Sequence, residues 1–199
     1  VNDELDKGNS WVWDSWISWL SAADIKTDGD TGKGLWSNAW YAIRKANLGL
    51  ENLENLTDAT PEQRDIIKGQ LLFFRGFYHF ELMTYWGGMP YIDKAFSSAD
   101  KLEYPRLNCH QTAERIAQDL REAADLLPAD WDKTATGKLT LGKNQLRVSK
   151  ITALGYLGKN YLYAGSPLLN YESTGNKQFD TEYCRKAAEV FAELLGYVD

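Results

Sequence analysis

Apolar residues recur along the chain at alternating steps of three and four, the spacing that lines one face of an α-helix. Trp13, Trp16, Ile17 and Leu20 set this rhythm and predict a first helix over Ser10–Ala22. A polar run of Asp, Gly and Thr, Asp24–Gly34, interrupts it. The rhythm resumes with Trp36, Trp40, Ile43, Asn47 and Leu50, which predicts a second helix over Leu35–Leu53. Asn47 falls on the apolar face. A buried amide needs hydrogen-bond partners, so Asn47 is expected to tie down a neighbouring loop.

The third helix has the clearest start. Thr60, Pro61 and Gln63 supply an N-cap, a first-turn proline and a capping-box partner. The pattern then runs unbroken to Tyr85, and Gly87-Gly88-Met89-Pro90 ends it. One face carries Ile67, Leu71, Phe74, Tyr78 and Tyr85, and another Ile66, Phe73, Phe77 and Phe80. A helix apolar on two faces is expected between two partners. Gly69 and Gly76, on one side, mark a place of close approach. Residues 91–107 read as an irregular connection. A fourth helix follows over Cys109–Leu127, closed by Pro128, and Ala129–Arg147 reads as a loop with room for a short strand pair. A fifth helix spans Ser149–Ala164, closed by Gly165-Ser166-Pro167, and a sixth spans Thr181–Leu195.

This layout is all-α. The second helix pairs with the third and the fourth with the fifth, while the sixth has no mate before the chain ends at Asp199. Each pair is expected to bury its face on the next, as in a helical-repeat array. The connections are too long and uneven for the tetratricopeptide consensus. The unmated last helix suggests that the chain is incomplete.

Composition narrows the function. A net charge of −6 argues against nucleic acid, whose phosphates draw clustered Lys and Arg. It leaves a neutral ligand such as a sugar open. Six of the 8 Trp (Trp11, Trp13, Trp16, Trp19, Trp36 and Trp40) fall within the first forty residues. Cys109 and Cys184 are too far apart for a CxxC motif and read as two semi-buried thiols. No apolar run approaches the roughly 20 residues of a membrane span, and no signal peptide is present.

Five segments, in order, resemble one family. Ile43-Arg44-Lys45-Ala46-Asn47 is similar to its I-x-x-A-N helix. Gly69-Gln70-Leu71-Leu72-Phe73-Phe74-Arg75-Gly76-Phe77-Tyr78-His79-Phe80 resembles its GEA-x-FLRA-x-YF segment, and Tyr85-Trp86-Gly87-Gly88-Met89-Pro90 its YGGVP turn. Ile116, Asp119-Leu120, Ala123 and Leu127-Pro128 fit I-x-x-DL-x-x-A-x-x-x-LP, and Leu162–Asn170 resembles LYAASPLFN. On these motifs the chain is identified as a member of the SusD/RagB family, over roughly residues 36–196. Gln70 replaces the family's Glu, and Gly76 its Ala. Arg75 is therefore expected to pair with a different carboxylate.

The resemblance implies a tetratricopeptide-like helical-hairpin array with long irregular loops. Residues 1–199 would be the N-terminal portion of a single SusD-like domain whose C-terminal half is absent, as a fragment, a cleaved product or one segment of a split gene. It also implies a glycan-binding, non-enzymatic lipoprotein at the bacterial outer-membrane surface. Such a protein serves a SusC-like TonB-dependent transporter and is held by a lipid anchor that this chain does not contain.

Sugar recognition needs flat apolar rings with convergent polar groups. The stretch Trp11–Trp40 holds both. Trp13, Trp16 and Trp40 fit core stripes. Trp11 and Trp19 lie off the main stripe, and Trp36 stands at a loop-to-helix junction. The expected glycan edge is the loop Lys26–Asn38, with Trp36, Asn38, Asp30, Asp28, Trp11 and Trp19 as ligand-binding candidates. Asp24, Asp28 and Asp30 hint at a calcium loop, but Lys26 and Leu35 occupy ligand positions of an EF-hand, so no metal is expected. No cofactor is expected either. No carboxylate pair or nucleophile–His–acid set stands out for catalysis. His79 reads as a core histidine and His110 as an exposed one. The alternatives are a peptide- or protein-binding helical-repeat module and, behind it, a glycoside hydrolase domain.

Overall fold

The computed structural model describes residues 35–97, 99–101 and 103–198. The predicted helix Ser10–Ala22 and the loop Asp24–Gly34 lie outside them. The described residues form seven α-helices: α1 (Leu35–Glu51), α2 (Pro61–Trp86), α3 (Cys109–Leu126), α4 (Ala135–Lys138), α5 (Lys150–Ala164), α6 (Pro167–Thr174) and α7 (Thr181–Leu195). All five helices predicted beyond residue 34 are present, with ends shifted by at most two residues.

Their ends follow from local chemistry. The Thr60 hydroxyl accepts from the Gln63 N–H, and the Gln63 side chain accepts from the Thr60 N–H. The same reciprocal cap opens α3 through Asn108 and Gln111, and α5 through Ser149 and Thr152. Gly87, at φ 74, ends α2 in a conformation that favours glycine.

The long helices stack in chain order, each antiparallel to its neighbour. Trp36 meets Trp86 while Gly49 meets Leu71, so α1 and α2 run opposite ways. Gly69 faces Leu127 and Gly76 faces Leu120, which lays α3 against α2. Asn160 on α5 donates to the Ala113 carbonyl of α3. Gly158 faces Phe191, so α7 rests on α5 and the sixth predicted helix does have a neighbour. Gly69 and Gly76 act by letting leucine side chains of α3 sit over them. The main core runs through α2, α3, α5 and α7, around Phe73, Phe80, Ile116, Leu120, Leu154 and Val190. A second, smaller core joins α1 to the end of α2 through Leu35, Ala39, Ile43, Leu82 and Met89.

Three expectations need correction. Residues 129–147 hold no strand pair; they form a 3-10 turn, Trp131–Lys133, then α4 and further turns. Side chains take the backbone donors that a strand would pair: Glu62 accepts from the Thr136 N–H at 2.8 Å, and Thr134 from the Gly137 N–H at 2.8 Å. Pro167 does more than close α5, because it opens α6 as its first residue. That short helix is held by Glu172 and Ser173, which accept from the Cys109 and His110 N–H groups at 2.8 and 2.9 Å and so cap α3 from 63 residues away. His110 is half-buried rather than exposed, with Nε2 3.0 Å from the Ala164 carbonyl.

The turn after α2 passes very close to the start of α3. A Cβ on Gly88 would lie 2.3 Å from the Leu107 carbonyl oxygen and 2.7 Å from the Cys109 nitrogen. Backbone cannot yield as a side chain does. Gly88→Ala is expected to lower the unfolding free energy by about 2–3 kcal/mol in urea denaturation. Gly155→Ala on α5 is the control. Its Cβ would meet only Leu194, at 3.6 Å, and it should be neutral or up to ~1 kcal/mol stabilising.

Candidate functional site

A buried polar network fixes the segment after α2 onto the helices. Arg75 grips Asp119 with two bonds, Nε to Oδ2 at 2.6 Å and Nη2 to Oδ1 at 2.7 Å. This is the different carboxylate that the loss of Glu at position 70 called for. Arg75 Nη1 also donates to Asn47 Oδ1 at 3.1 Å and to the Asp93 carbonyl at 3.2 Å. The Asn47 amide donates to the Ile92 and Lys94 carbonyls, both at 3.0 Å, so it does tie down a loop. The Tyr91 hydroxyl donates to Asp119 Oδ2 at 2.5 Å. Burial and the Asp119 charge push that phenol well above its ordinary range, so it stays a donor. Burial opposes the Arg75 charge, but Asp119 more than offsets it and the guanidinium is held above its usual range.

His79 completes the network. It is fully buried, its ring stacks on Tyr91 at 3.9 Å, and Trp40 meets it edge-on at 5.8 Å. Nε2 accepts from the Ile92 N–H at 3.1 Å, so Nδ1, 2.8 Å from the Arg75 carbonyl, must carry the proton. Burial, with Arg75 and Arg115 nearby, pushes the imidazole down to about 3.

On this frame two groups of rings reach the surface, the second built over Phe80, which is itself fully buried. At the open end of the α1–α2 hairpin, Trp36 meets Trp40 and Trp86 edge-on, at 5.6 and 5.0 Å, and Trp86 touches Tyr85 at 5.8 Å. Along α2 and α5, Phe77 and Phe80 meet Tyr156, and Phe80 meets Tyr163 at 5.4 Å. The exposed Lys159 ammonium stands 5.3–5.8 Å over Phe80, Tyr156 and Tyr163. Glu81 lies beside them. Burial raises its pKa while Lys159 opposes the rise. Burial and Glu81 together raise the hydroxyls of Tyr85 and Tyr156. Next to Tyr163 a hollow of about 350 Å³ is lined by Thr84, Leu162, Ser166, Leu168, Leu169 and Phe179. Rings, hydroxyls, one ammonium and one carboxylate thus share an edge. These are the groups needed to stack on C–H faces and bond hydroxyls.

Of the six sequence candidates, the structure describes two. Trp36 sits half-buried in the tryptophan cluster, and Asn38 is exposed on α1. Two helical steps separate them by about 200° around the axis, so they face different ways. Trp11, Trp19, Asp28 and Asp30 lie outside the described residues. Sequence reasoning missed the α5 edge. Its signal was Tyr156, Lys159 and Tyr163, spaced three and four apart, a second stripe beside the core stripe of α5. Both cysteines are free thiols. Burial, reinforced by Glu172, pushes the Cys109 thiol up to about 12. Among the described residues no group of three or more His, Cys, Asp or Glu is placed to hold a metal ion.

A family model, SusD-like_3, described as starch-binding associating with outer membrane, matches residues 2–162. The SusD-like protein P2 of Formosa agariphila is 28% identical over 131 residues, which span 65% of this chain and 24% of that protein. Among solved structures, a protein designated BT4246 superposes with a TM-score of 0.70 at 25% identity, over 94% of this chain and 33% of its own. A laminarin binding SusD-like protein gives a TM-score of 0.62 at 23% identity, over 81% of this chain and 29% of its own. The chain therefore spans between a quarter and a third of the length of these relatives.

Proposed function

Because the chain belongs to the SusD-like family, we propose that it is the N-terminal portion of a longer SusD-like domain that binds glycan at the bacterial cell surface. It captures an oligosaccharide or polysaccharide by stacking and hydrogen bonding and passes it on unchanged. The partner is a SusC-like TonB-dependent transporter of the outer membrane, with attachment through a lipid anchor. Support comes from the family match, from the laminarin-binding relative and from the aromatic edge.

The observation that carries this proposal is the fixed ring of Trp36. Trp40 and Trp86 hold it edge-on at the end of the hairpin, so little rotamer entropy is lost when a sugar meets it. In this proposal Trp36 contacts the glycan together with Asp28, Asp30, Trp11 and Trp19, while Asn38, on the other side of α1, is left out of that contact.

Affinity electrophoresis against a polysaccharide panel that includes laminarin tests the ligand class, and retardation is expected. Calorimetry with the retained glycan then tests the site. Trp36→Ala is expected to weaken binding about tenfold or more. Unchanged affinity would remove Trp36 from the site, and absence of retardation by every polysaccharide would overturn glycan binding. Incubation with oligosaccharides should leave them intact, since released sugars would mean catalysis.

A further inference from the structure

Residues 133–150 carry Lys133, Lys138, Lys143, Arg147 and Lys150 without one acid, in a chain whose net charge is −6. Among the described residues, Lys133 pairs with Asp130, while Lys138, Lys143 and Arg147 form no ion pair. The tip of this basic loop displays leucines. Leu139, Leu141 and Leu146 are 75%, 88% and 106% exposed, the last as open as a side chain can be. Leu141 and Leu146 stand at φ 52 and 70, in the left-handed region that leucine rarely adopts. Such a conformation persists only where its surroundings enforce it.

The surroundings do enforce it. Asn144 is buried beneath the tip. Its amide donates to Asp132 Oδ1 at 2.6 Å and to the Gly137 carbonyl at 2.9 Å, and its oxygen accepts from Thr140 at 2.6 Å. The Trp131 indole N–H donates to the Val148 carbonyl at 2.9 Å, and the Arg147 guanidinium lies 4.8 Å over its ring. Glu62 ties the start of α4 to α2. A rigid base thus holds three leucines away from the core. Beside Leu146 a hollow of about 500 Å³ is lined by Gly142, Lys143, Gln145, Leu146 and Arg147.

We propose that the loop 138–147 is a membrane-contact loop that docks on an anionic lipid surface. Leu139, Leu141 and Leu146 enter the boundary between headgroups and acyl chains, while Lys143 and Arg147 hold a lipid phosphate in the hollow. Isolated leucines on a basic tip match a fluid anionic interface, which needs no shaped pocket to receive them. This contact is separate from the aromatic edge and does not depend on what that edge binds.

Sedimentation of the 199-residue chain with vesicles tests it, using phosphatidylcholine alone and phosphatidylcholine with about one quarter phosphatidylglycerol. Partition into the anionic vesicles is expected to exceed that into neutral ones about tenfold and to weaken with salt. L139S/L141S/L146S should lose about tenfold in partition with an unchanged unfolding midpoint. K143S/R147S should lose the preference for anionic vesicles. Absence of wild-type partition, or equal partition of the wild type and the leucine variant, would overturn the proposal. Concentration-dependent dimers that the leucine variant abolishes, without vesicle binding, would assign the leucines to self-association and overturn it as well.

Discussion

Asp119→Ala is expected to destabilise the chain by about 3–5 kcal/mol, close to the whole margin of many small domains. The Asp119 and Arg75 side chains are only 8% and 12% exposed. Removing the carboxylate leaves the Arg75 cation in a dry site and strips Tyr91 of its acceptor. The damage spreads because Arg75 also holds Asn47 and the Asp93 carbonyl, and Asn47 in turn holds Ile92 and Lys94. The expected result is an early urea midpoint together with faster amide exchange at Ile92. Tyr91→Phe removes one donor while the ion pair stays, so about 1–2 kcal/mol is expected. The double variant Arg75→Met, Asp119→Leu should recover much of the loss, because a buried pair replaced by apolar side chains leaves no orphaned charge. A loss under ~1 kcal/mol for Asp119→Ala would mean that water reaches the pair and that it behaves as a surface contact.

That network also shows what a sequence can and cannot tell. The capping box at Thr60 and Gln63, the stop at Gly87 and the Asn on an apolar stripe are local signals, and all of them appear in the structure. The absence of Glu at position 70 told that Arg75 needed another partner. It did not tell which, because Asp119 lies 44 residues on and only the packing of α3 on α2 brings it near. The same distance hid the shape of 129–147. Its turns are set by Glu62, more than 70 residues earlier, and the order of apolar residues holds no trace of that contact. α6 was missed for a related reason: eight residues are too few to show a period, and its Glu172 and Ser173 act on another helix. The aromatic edge was half legible. Trp36 stood out as a tryptophan at a helix start, while Tyr156 and Tyr163 join the edge only through the packing of α5 beside Phe77 and Phe80 of α2.

Lowering the pH from 6.5 to 4.5 is expected to cost about 2 kcal/mol of stability through His79 alone. An unfolded histidine takes up a proton near pH 6.5. In the folded chain, burial chiefly, then the Arg75 and Arg115 charges, hold the ring neutral until about 3. Between those values the unfolded chain binds one more proton than the folded one, so stability falls as the pH falls, by about 1.4 kcal/mol per unit in the middle of the window. About one unit above pH 6.5 the contribution is complete and flat. Below about 4.5 carboxylates that are held low in the fold, such as Glu62 and Glu193, add their own losses in the same direction. Urea unfolding at half-unit steps from pH 7.5 to 4.5 reads the slope. His79→Gln offers one donor and one acceptor without titrating, so it should remove the slope. A flat wild-type profile would require the folded ring to accept a proton at Nε2, where the Ile92 N–H already points at 3.1 Å. Two donors would then face each other inside the core, and Ile92 would have to leave the frame that supports the aromatic edge.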